Sequence, residues 1–555
     1  MLGTDSGKKK MEYTLVTVCA VSLVNFLFFG QGYGTMSSNL IFDSMPSFIG
    51  RAKNLLTCAA VFALTWVICK KKQDFCRFML MIASVAALLM SGMDIGNIYK
   101  VSADKLATTV VADQELPTLS LSKKGQNVIV LMLDRGISSF VPYIMNERPE
   151  IKEQFSGFTY YPNTISFGGH TNIGAPALYG GYDYTPEEMN RQNHLYLVFK
   201  MNDALRVMPR IFSENGYDTT VWDPPLAGYK WIPDLSIYDE YPDIKAYNSM
   251  GMFDDNREEL AEKIDDTRNR NFFCYSLFKI MPTALEKIFY NDGIYNNLGE
   301  FAGQISTGSS VAEGVKPKFM SAYNVLKNLS NVTEITENET GSFLMLTNDT
   351  AHEPMLLQEP QYEPSEVVDN TEYDMIHEDR FVVDGKKLIV ENYRQRSHYQ
   401  VNMAAFIKLG EWFDYLREQG VYDNTRIILV SDHGYSMDQE NENIGNINES
   451  DTITQYNALL MVKDFNSKEF TVNNEFMTNA DTPSIALEGI VDNPTNPFLG
   501  TPINMDKKKE GPVNIFFSHD YDVGYNFNQE FLPGPWYSVH DNIFDLNNWK
   551  YLGNK

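Results

Sequence analysis

Cysteine is scarce, with five in 555 residues, and where the five stand excludes more than their number does. Cys19, Cys58, Cys69 and Cys76 fall in the first hundred residues, which leaves Cys274 alone in the larger remainder, so no disulfide can form within it. A domain of that size lying outside a cell without an internal disulfide suits a bacterial envelope better than a eukaryotic secretory route. On that reading the Asn-x-Ser/Thr sequons at Asn328, Asn331, Asn338, Asn348 and Asn448 are not glycosylated. Basic residues are scarce as well. Against 72 Asp and Glu there are 46 Lys and Arg, a formal charge of -26, and a phosphate backbone needs the opposite surplus, so nucleic acid is excluded as a partner. Any anionic substrate must be held locally, by a metal ion or a few basic groups. Internal repeats and long low-complexity tracts are also missing, and the chain is long enough for one large domain with additions.

Charge is absent altogether from three apolar runs, 13–30, 55–69 and 78–93. Flanking residues extend each to the roughly 20 needed to cross a bilayer. Lys8 to Lys10 precede the first run, and Lys70 to Lys72 with Arg77 separate the second from the third. Positive residues stay inside, so the amino terminus is expected in the cytoplasm and everything after about Met93 outside. No small-residue cleavage site follows the first run closely enough for a removable signal peptide. The expected organisation is a membrane domain over 1–100 with three transmembrane helices, a linker over 101–124 containing Pro117, and an extracytoplasmic domain over 125–555.

Three runs of the larger part read as strands buried on both faces, as in a parallel sheet. Residues 127–133 end at Asp134, residues 342–347 lead to Asn348, Asp349 and His352, and residues 427–431 lead to Asp432, His433 and Gly434. Ligands of such sheets bind at the carboxyl ends of the strands. A carboxylate beside an imidazole, as in Asp432-His433, is a ligand pair for zinc or manganese. The glycine-rich turn over 166–174 carries Thr171, which is either the N-cap of a following helix or a nucleophile facing an anion at that helix end. Helical periods over 202–215, 318–329 and 395–419 alternate with the strands, and 219–222 is another strand, ending near Asp223. Further expectations are a strand over 456–462, a helix over 481–491, a hairpin at Asp384-Gly385 and an edge strand or hairpin within 536–552. Residues 226–310, with helices expected at 256–268 and 275–289, acquire no chemical role.

The succession NVIVLMLD, GGHTN, GYDTTVWD, TNDTAHEP and IILVSDHG resembles the alkaline phosphatase and sulfatase superfamily. Within it the chain looks most like the membrane-anchored lipoteichoic acid synthase and phosphoethanolamine transferase branch. The resemblance covers about 125–490 and implies an α/β/α sandwich with a mainly parallel central sheet. Carried over, it makes Asp134, Thr171, Asp432 and His433 the metal site, with Asp134 where the synthases usually have Glu. Thr171 becomes the nucleophile that is phosphorylated during turnover, and His352 the histidine beside the substrate phosphate. Trp231 matches a substrate-contacting aromatic, but the arginine expected two residues later is Pro233, so Lys230 or His170 is the substitute expected at the phosphate. One divalent ion, Mn or Zn, is implied. A second would need donors such as Asp349, His519 or His540, because the family's further Asp is Asn348 here. Thr171-Asn-Ile-Gly-Ala lacks the Cys/Ser-x-Pro-x-Arg pattern that formylglycine formation requires, which argues against sulfate ester hydrolysis. The implied activity is transfer of a phosphoglycerol or phosphoethanolamine head group from a membrane phospholipid to a cell-envelope glycan or glycolipid. A surface phosphodiesterase or phosphatase, and a non-catalytic binding protein of the same fold, are the alternatives.

Overall fold

The computed structural model describes residues 5–30, 47–109, 117–249, 251–253, 272–285, 304–439, 443–444, 452–518 and 528–555. The chain forms two compact units, 1–115 with 261–298, and 116–260 with 299–555. In the first, α1 (Asp5–Val24) continues through a wider turn, Asn25–Phe29, and packs on α2 (Phe48–Lys71), which is followed by α3 (Gln73–Thr109). Three stretches, Asp5–Phe29, Phe48–Lys71 and Gln73–Asn97, are long and apolar enough to cross a membrane. α3 runs on to Thr109, so the expected linker begins as helix. It also ends as structure: β1 (Leu119–Ser122) belongs to the second unit, where its pairing with a distant strand fixes the chain entry.

In chain order the second unit continues with β2 (Asn127–Leu133) and β3 (Phe158–Tyr160), then α4 (Thr171–Gly180) and α5 (Leu197–Glu214). β4 (Asp218–Trp222) and β5 (Ile244–Tyr247) precede α6 (Pro317–Val332), β6 (Thr333–Thr336) and β7 (Ser342–Asn348). After α7 (Tyr393–Glu418) come β8 (Thr425–Val430), β9 (Leu460–Lys463), β10 (Thr471–Val472) and α8 (Thr482–Leu487). The tail adds an antiparallel sheet of β11 (Val513–Phe516), β12 (Pro535–Val539) and β13 (Lys550–Asn554).

The central sheet has eight strands in the order β10-β3-β9-β8-β2-β7-β4-β5, and only the pairs made by β9 are antiparallel. Its core is split by strand alternation. Ile129, Leu131 and Leu133 of β2 pack into one apolar layer with Met403, Phe406 and Phe413 of α7, while Val128, Val130 and Met132 pack into the other with Met201, Leu205 and Met208 of α5. Side chains of this size contribute about 1.5–3 kcal/mol each when fully buried, so a strand buried on both faces is pinned in register and its end is fixed in space. α7 starts at a capping box in which Asn392 accepts from the Gln395 amide and Gln395 accepts from the backbone of Asn392. It is this α/β/α sandwich that the family resemblance implied.

Two local expectations change. Residues 456–462 are not one strand: Ile453–Tyr456 forms a helical turn and only Leu460–Lys463 is extended. The helix expected over 481–491 stops at Leu487. The hairpin at Asp384-Gly385 is present, pairing Val382–Val383 with Lys386–Lys387. The helix expected at 256–268 lies outside the described residues; of the one expected at 275–289, residues 275–280 are helical, as part of a helix over 272–280, and 286–289 lie outside the described residues.

Candidate active site

β2, β7 and β8 lie side by side and parallel, so their carboxyl ends open on one edge of the sheet. Asp134 follows β2 directly, and its backbone N–H donates to the Asn348 carbonyl at the end of β7 (3.0 Å). Asp432 and His433 follow β8. Ligand atoms of Asp134, Asp432 and His433 all lie within 4.8 Å of one another, and the three residues are buried. Among the described residues this is the one cluster of that kind.

Each side chain is oriented by a specific contact. Asp432 Oδ1 accepts from the backbone N–H groups of His433 (2.9 Å) and Arg135 (3.3 Å). Its Oδ2 and the Oδ1 of Asp134 have no hydrogen-bond partner although both are buried. His433 Nδ1 lies 2.6 Å from the Gly434 carbonyl and must donate to it, which leaves Nε2 with a lone pair turned toward Asp432 Oδ2 at 3.5 Å. Burial holds the His433 imidazole below its ordinary pKa, so it stays neutral, as a ligand must. Burial, reinforced by the Asp432 carboxylate, pushes Asp134 up to about 8. Two carboxylates this close, with unpartnered oxygens and a neutral imidazole, are unfavourable alone and fit a divalent cation.

Thr171 is the first residue of α4. The capping position belongs to His170, which makes no side-chain cap, so the hydroxyl is not spent on the helix. Instead Oγ1 faces Asp134 Oδ2 at 3.4 Å, at the positive end of the helix dipole. His170 also reaches the site, its ring 6.1 Å from that of His433. His352 sits at the mouth, one third exposed, with Nδ1 3.5 Å from Glu353. Burial and Arg135 oppose its protonation, but Asp134 and Glu353 outweigh them and raise its pKa. Burial likewise opposes ionisation of Glu353, yet its bond to His352 holds it at about 2. Lys230 forms an ion pair with Asp234, and Trp231 is half exposed. Asn348 donates to the Ala322 carbonyl and accepts from Thr350, closing the turn after β7. His540 pairs with Asp541, and His519 lies outside the described residues.

Residue-type reasoning missed two contributors. Arg135, directly after Asp134, adopts a left-handed backbone (φ 57°), which for a residue of this size persists only where its surroundings fix it. Its guanidinium stacks 4.4 Å from the centre of the Tyr435 ring and donates to the His352 carbonyl (3.4 Å), while its buried Nε has no partner. Asn479 is the other. Its amide donates to Ser166 Oγ (3.3 Å), the Gly174 carbonyl (3.0 Å) and the Asp432 carbonyl (3.2 Å), clamping α4 to the segment that follows β8. The approach is close enough that a Cβ on Gly174 would collide with the Asp432 carbonyl and lie 2.8 Å from Ser166 Oγ. Gly174→Ala is therefore expected to cost about 1–3 kcal/mol by overpacking. Displacing Thr171 should also lower turnover by roughly 10²-fold. Thermal unfolding and steady-state kinetics on the same preparation read both.

Comparison with known proteins places this geometry. The Sulfatase family model matches residues 126–488, well over half of the chain. The chain belongs to the sulfatase family. It is thus an enzyme of the alkaline phosphatase superfamily, whose members carry out phosphoryl or sulfuryl transfer and hydrolysis with divalent metal ions. No curated protein matches it with significance. Solved structures similar to this sulfatase-family chain include the lipoteichoic acid synthase LtaP from Listeria monocytogenes (12% identity, 78% of this chain and 87% of that one, TM-score 0.39). A protein in the alkaline phosphatase superfamily from Vibrio parahaemolyticus (12%, 80% and 88%, 0.38) is also similar. So is the phosphonate monoester hydrolase of Agrobacterium radiobacter (14%, 77% and 88%, 0.38). Likenesses at this level assign no role to a residue.

Proposed function

We propose that this sulfatase-family chain is an outward-facing, metal-dependent phosphotransferase that moves a phosphoalcohol head group, of the phosphoglycerol or phosphoethanolamine type, from a membrane phospholipid to a cell-envelope glycan or glycolipid. The observation that carries the reading is Thr171, a hydroxyl left uncapped at a helix start and aimed at Asp134 beside a buried Asp/Asp/His set. Asp134, Asp432 and His433 would hold a manganese- or zinc-type ion. When bound, such an ion lowers the proton affinity of a nearby hydroxyl and offsets charge developing on a phosphoryl group. Thr171 Oγ1, its proton passed to solvent and taken back when the hydroxyl is regenerated, forms a bond to phosphorus as the bond to the lipid alkoxide breaks. His352, whose carboxylate neighbours favour its protonated form, donates the proton that the leaving alkoxide needs. It then removes one from the incoming glycan hydroxyl, which attacks the phosphothreonine and regenerates Thr171. The three apolar helices keep the reaction at the membrane holding the donor, and the lysine clusters argue for an extracytoplasmic catalytic unit.

Arg135 supplies the positive charge that Pro233 cannot and that Lys230 gives to Asp234. Arg135→Gln is expected to lower kcat/KM by roughly 10²-fold, the order found when a donor to a developing anion is removed. Metal affinity, read by calorimetry, should be unchanged, and Arg135→Lys should not restore activity because a planar guanidinium is what stacks on Tyr435. The reaction itself is tested by incubating the full chain in membranes with manganese and head-group-labelled phospholipid, with and without a glycan acceptor. Label on the acceptor and diacylglycerol in the lipid fraction are expected. Free phosphoalcohol in equal amount under both conditions would make the chain a hydrolase.

A further inference from the structure

Part of the stretch without assigned chemistry, 261–298, belongs to the unit of the N-terminal helices rather than to the catalytic one. Its described residues form a short helix, 272–280, and a turn at Thr283–Leu285. They close on two amides that sit inside apolar spans. Asn25, just past α1, and Asn54, in the second turn of α2, are 1% and 0% exposed. Asn54 Nδ2 donates to Asn25 Oδ1 (2.7 Å), and Asn54 Oδ1 accepts from the Thr283 N–H (3.0 Å) and hydroxyl (3.2 Å). Asn25 Nδ2 donates to the Ile280 carbonyl (3.3 Å), and Lys279 Nζ donates to the Gly30 carbonyl (2.5 Å). Polar side chains in a spanning helix are costly unless a partner satisfies them, and their presence marks a place built to receive one. Here the partner is this segment.

The segment also leaves apolar side chains exposed, alongside Ser276. Phe272, Phe273 and Leu285 are 56%, 65% and 39% exposed among the described residues, while Phe278 is buried. Asn25 and Asn54 both lie at the end of the α1–α2 pair away from Lys8 to Lys10 and Lys70 to Lys72. That end is extracytoplasmic if the lysines stay inside. We infer that residues 272–285 are a second membrane attachment of the catalytic chain, seated on the outer ends of α1 and α2 with Phe272, Phe273 and Leu285 in the interfacial layer of the lipid bilayer. Continuity with the spanning helices commits the face to lipid, and aromatic side chains are at home at that depth. The inference does not depend on the chemistry proposed for Thr171. It gives the catalytic unit two tethers where the path through α3 alone would give one.

The test uses the full chain, with a site-specific protease sequence inserted within 110–116, reconstituted in phosphatidylglycerol/phosphatidylethanolamine vesicles. Chelator is present throughout, so that the metal site cannot hold lipid. After cleavage the catalytic fragment is expected to sediment with the vesicles. Phe272→Asp/Phe273→Asp should weaken that retention by roughly a hundred-fold, about ten-fold for each aromatic side chain moved out of lipid. Phe272→Trp/Phe273→Trp should retain it, with tryptophan emission shifted to the blue. Matching melting curves of the fragments exclude unfolding as the cause of release. Release of the wild-type fragment on cleavage, or equal retention of the aspartate variant, would overturn the inference.

Discussion

Asp432→Asn is expected to abolish metal-induced stabilisation and to lower turnover by roughly 10³-fold or more, since both ligand charge and cation would be lost. At the same time it should raise the stability of the metal-free protein at neutral pH. The geometry explains why the effects oppose. Asparagine can still accept at the position where Asp432 Oδ1 takes the N–H groups of Arg135 and His433, so the backbone stays satisfied. What disappears is one of two buried carboxyl groups. In the wild type the other, Asp134, has a folded pKa raised to about 8 by burial and by Asp432, against about 4 in the unfolded chain. A carboxyl with a raised folded pKa costs nothing below the unfolded value, and the cost grows as pH rises and levels off above the folded one. Metal-free wild type should therefore lose stability between about pH 4 and pH 8, and the Asp432→Asn substitution should flatten that slope. Saturating metal should add about 4 kcal/mol to the wild type at a thousand-fold excess over Kd and almost nothing to Asp432→Asn. Thermal unfolding with chelator, manganese and zinc across that pH range checks all of this.

Thr171→Ala should leave metal-induced stabilisation intact and remove turnover by roughly 10⁴-fold, as expected when a covalent nucleophile is deleted. The separation is possible because Thr171 is not the N-cap of α4, and alanine is well tolerated in a helical first turn. The loss is then chemical. Thr171→Ser keeps a hydroxyl 3.4 Å from Asp134 in the wild-type position and should retain part of the rate. Circular dichroism and metal titration of the same samples distinguish a missing nucleophile from a missing site.

How much of this could be read from residues alone follows from the kind of signal each feature carries. β2, β7 and β8 are runs of apolar residues buried on both faces, and such runs announce themselves along with the polar residues at their ends. Asp134, Asp432 and His433 were legible for that reason. The stretch 456–462 was not, because an apolar run this short does not distinguish a helical turn followed by a strand from a strand throughout. Arg135 was missed because one arginine after a strand-end aspartate has no periodicity. Its role arises only when Tyr435 and His352 are brought beside it. Asn479 reaches Ser166 and Asp432 across the fold, a tertiary fact with no local trace.

The central claim, a covalent intermediate on Thr171, is tested most directly by the intact mass of the chain, wild type and Thr171→Ala, quenched in acid during incubation with manganese and bacterial phospholipids. The wild-type mass is expected to rise by one phosphoalcohol unit, mapped to Thr171 and absent from Thr171→Ala. Head-group release at full rate with the chain unmodified at every time point, or the same adduct on Thr171→Ala, would contradict it.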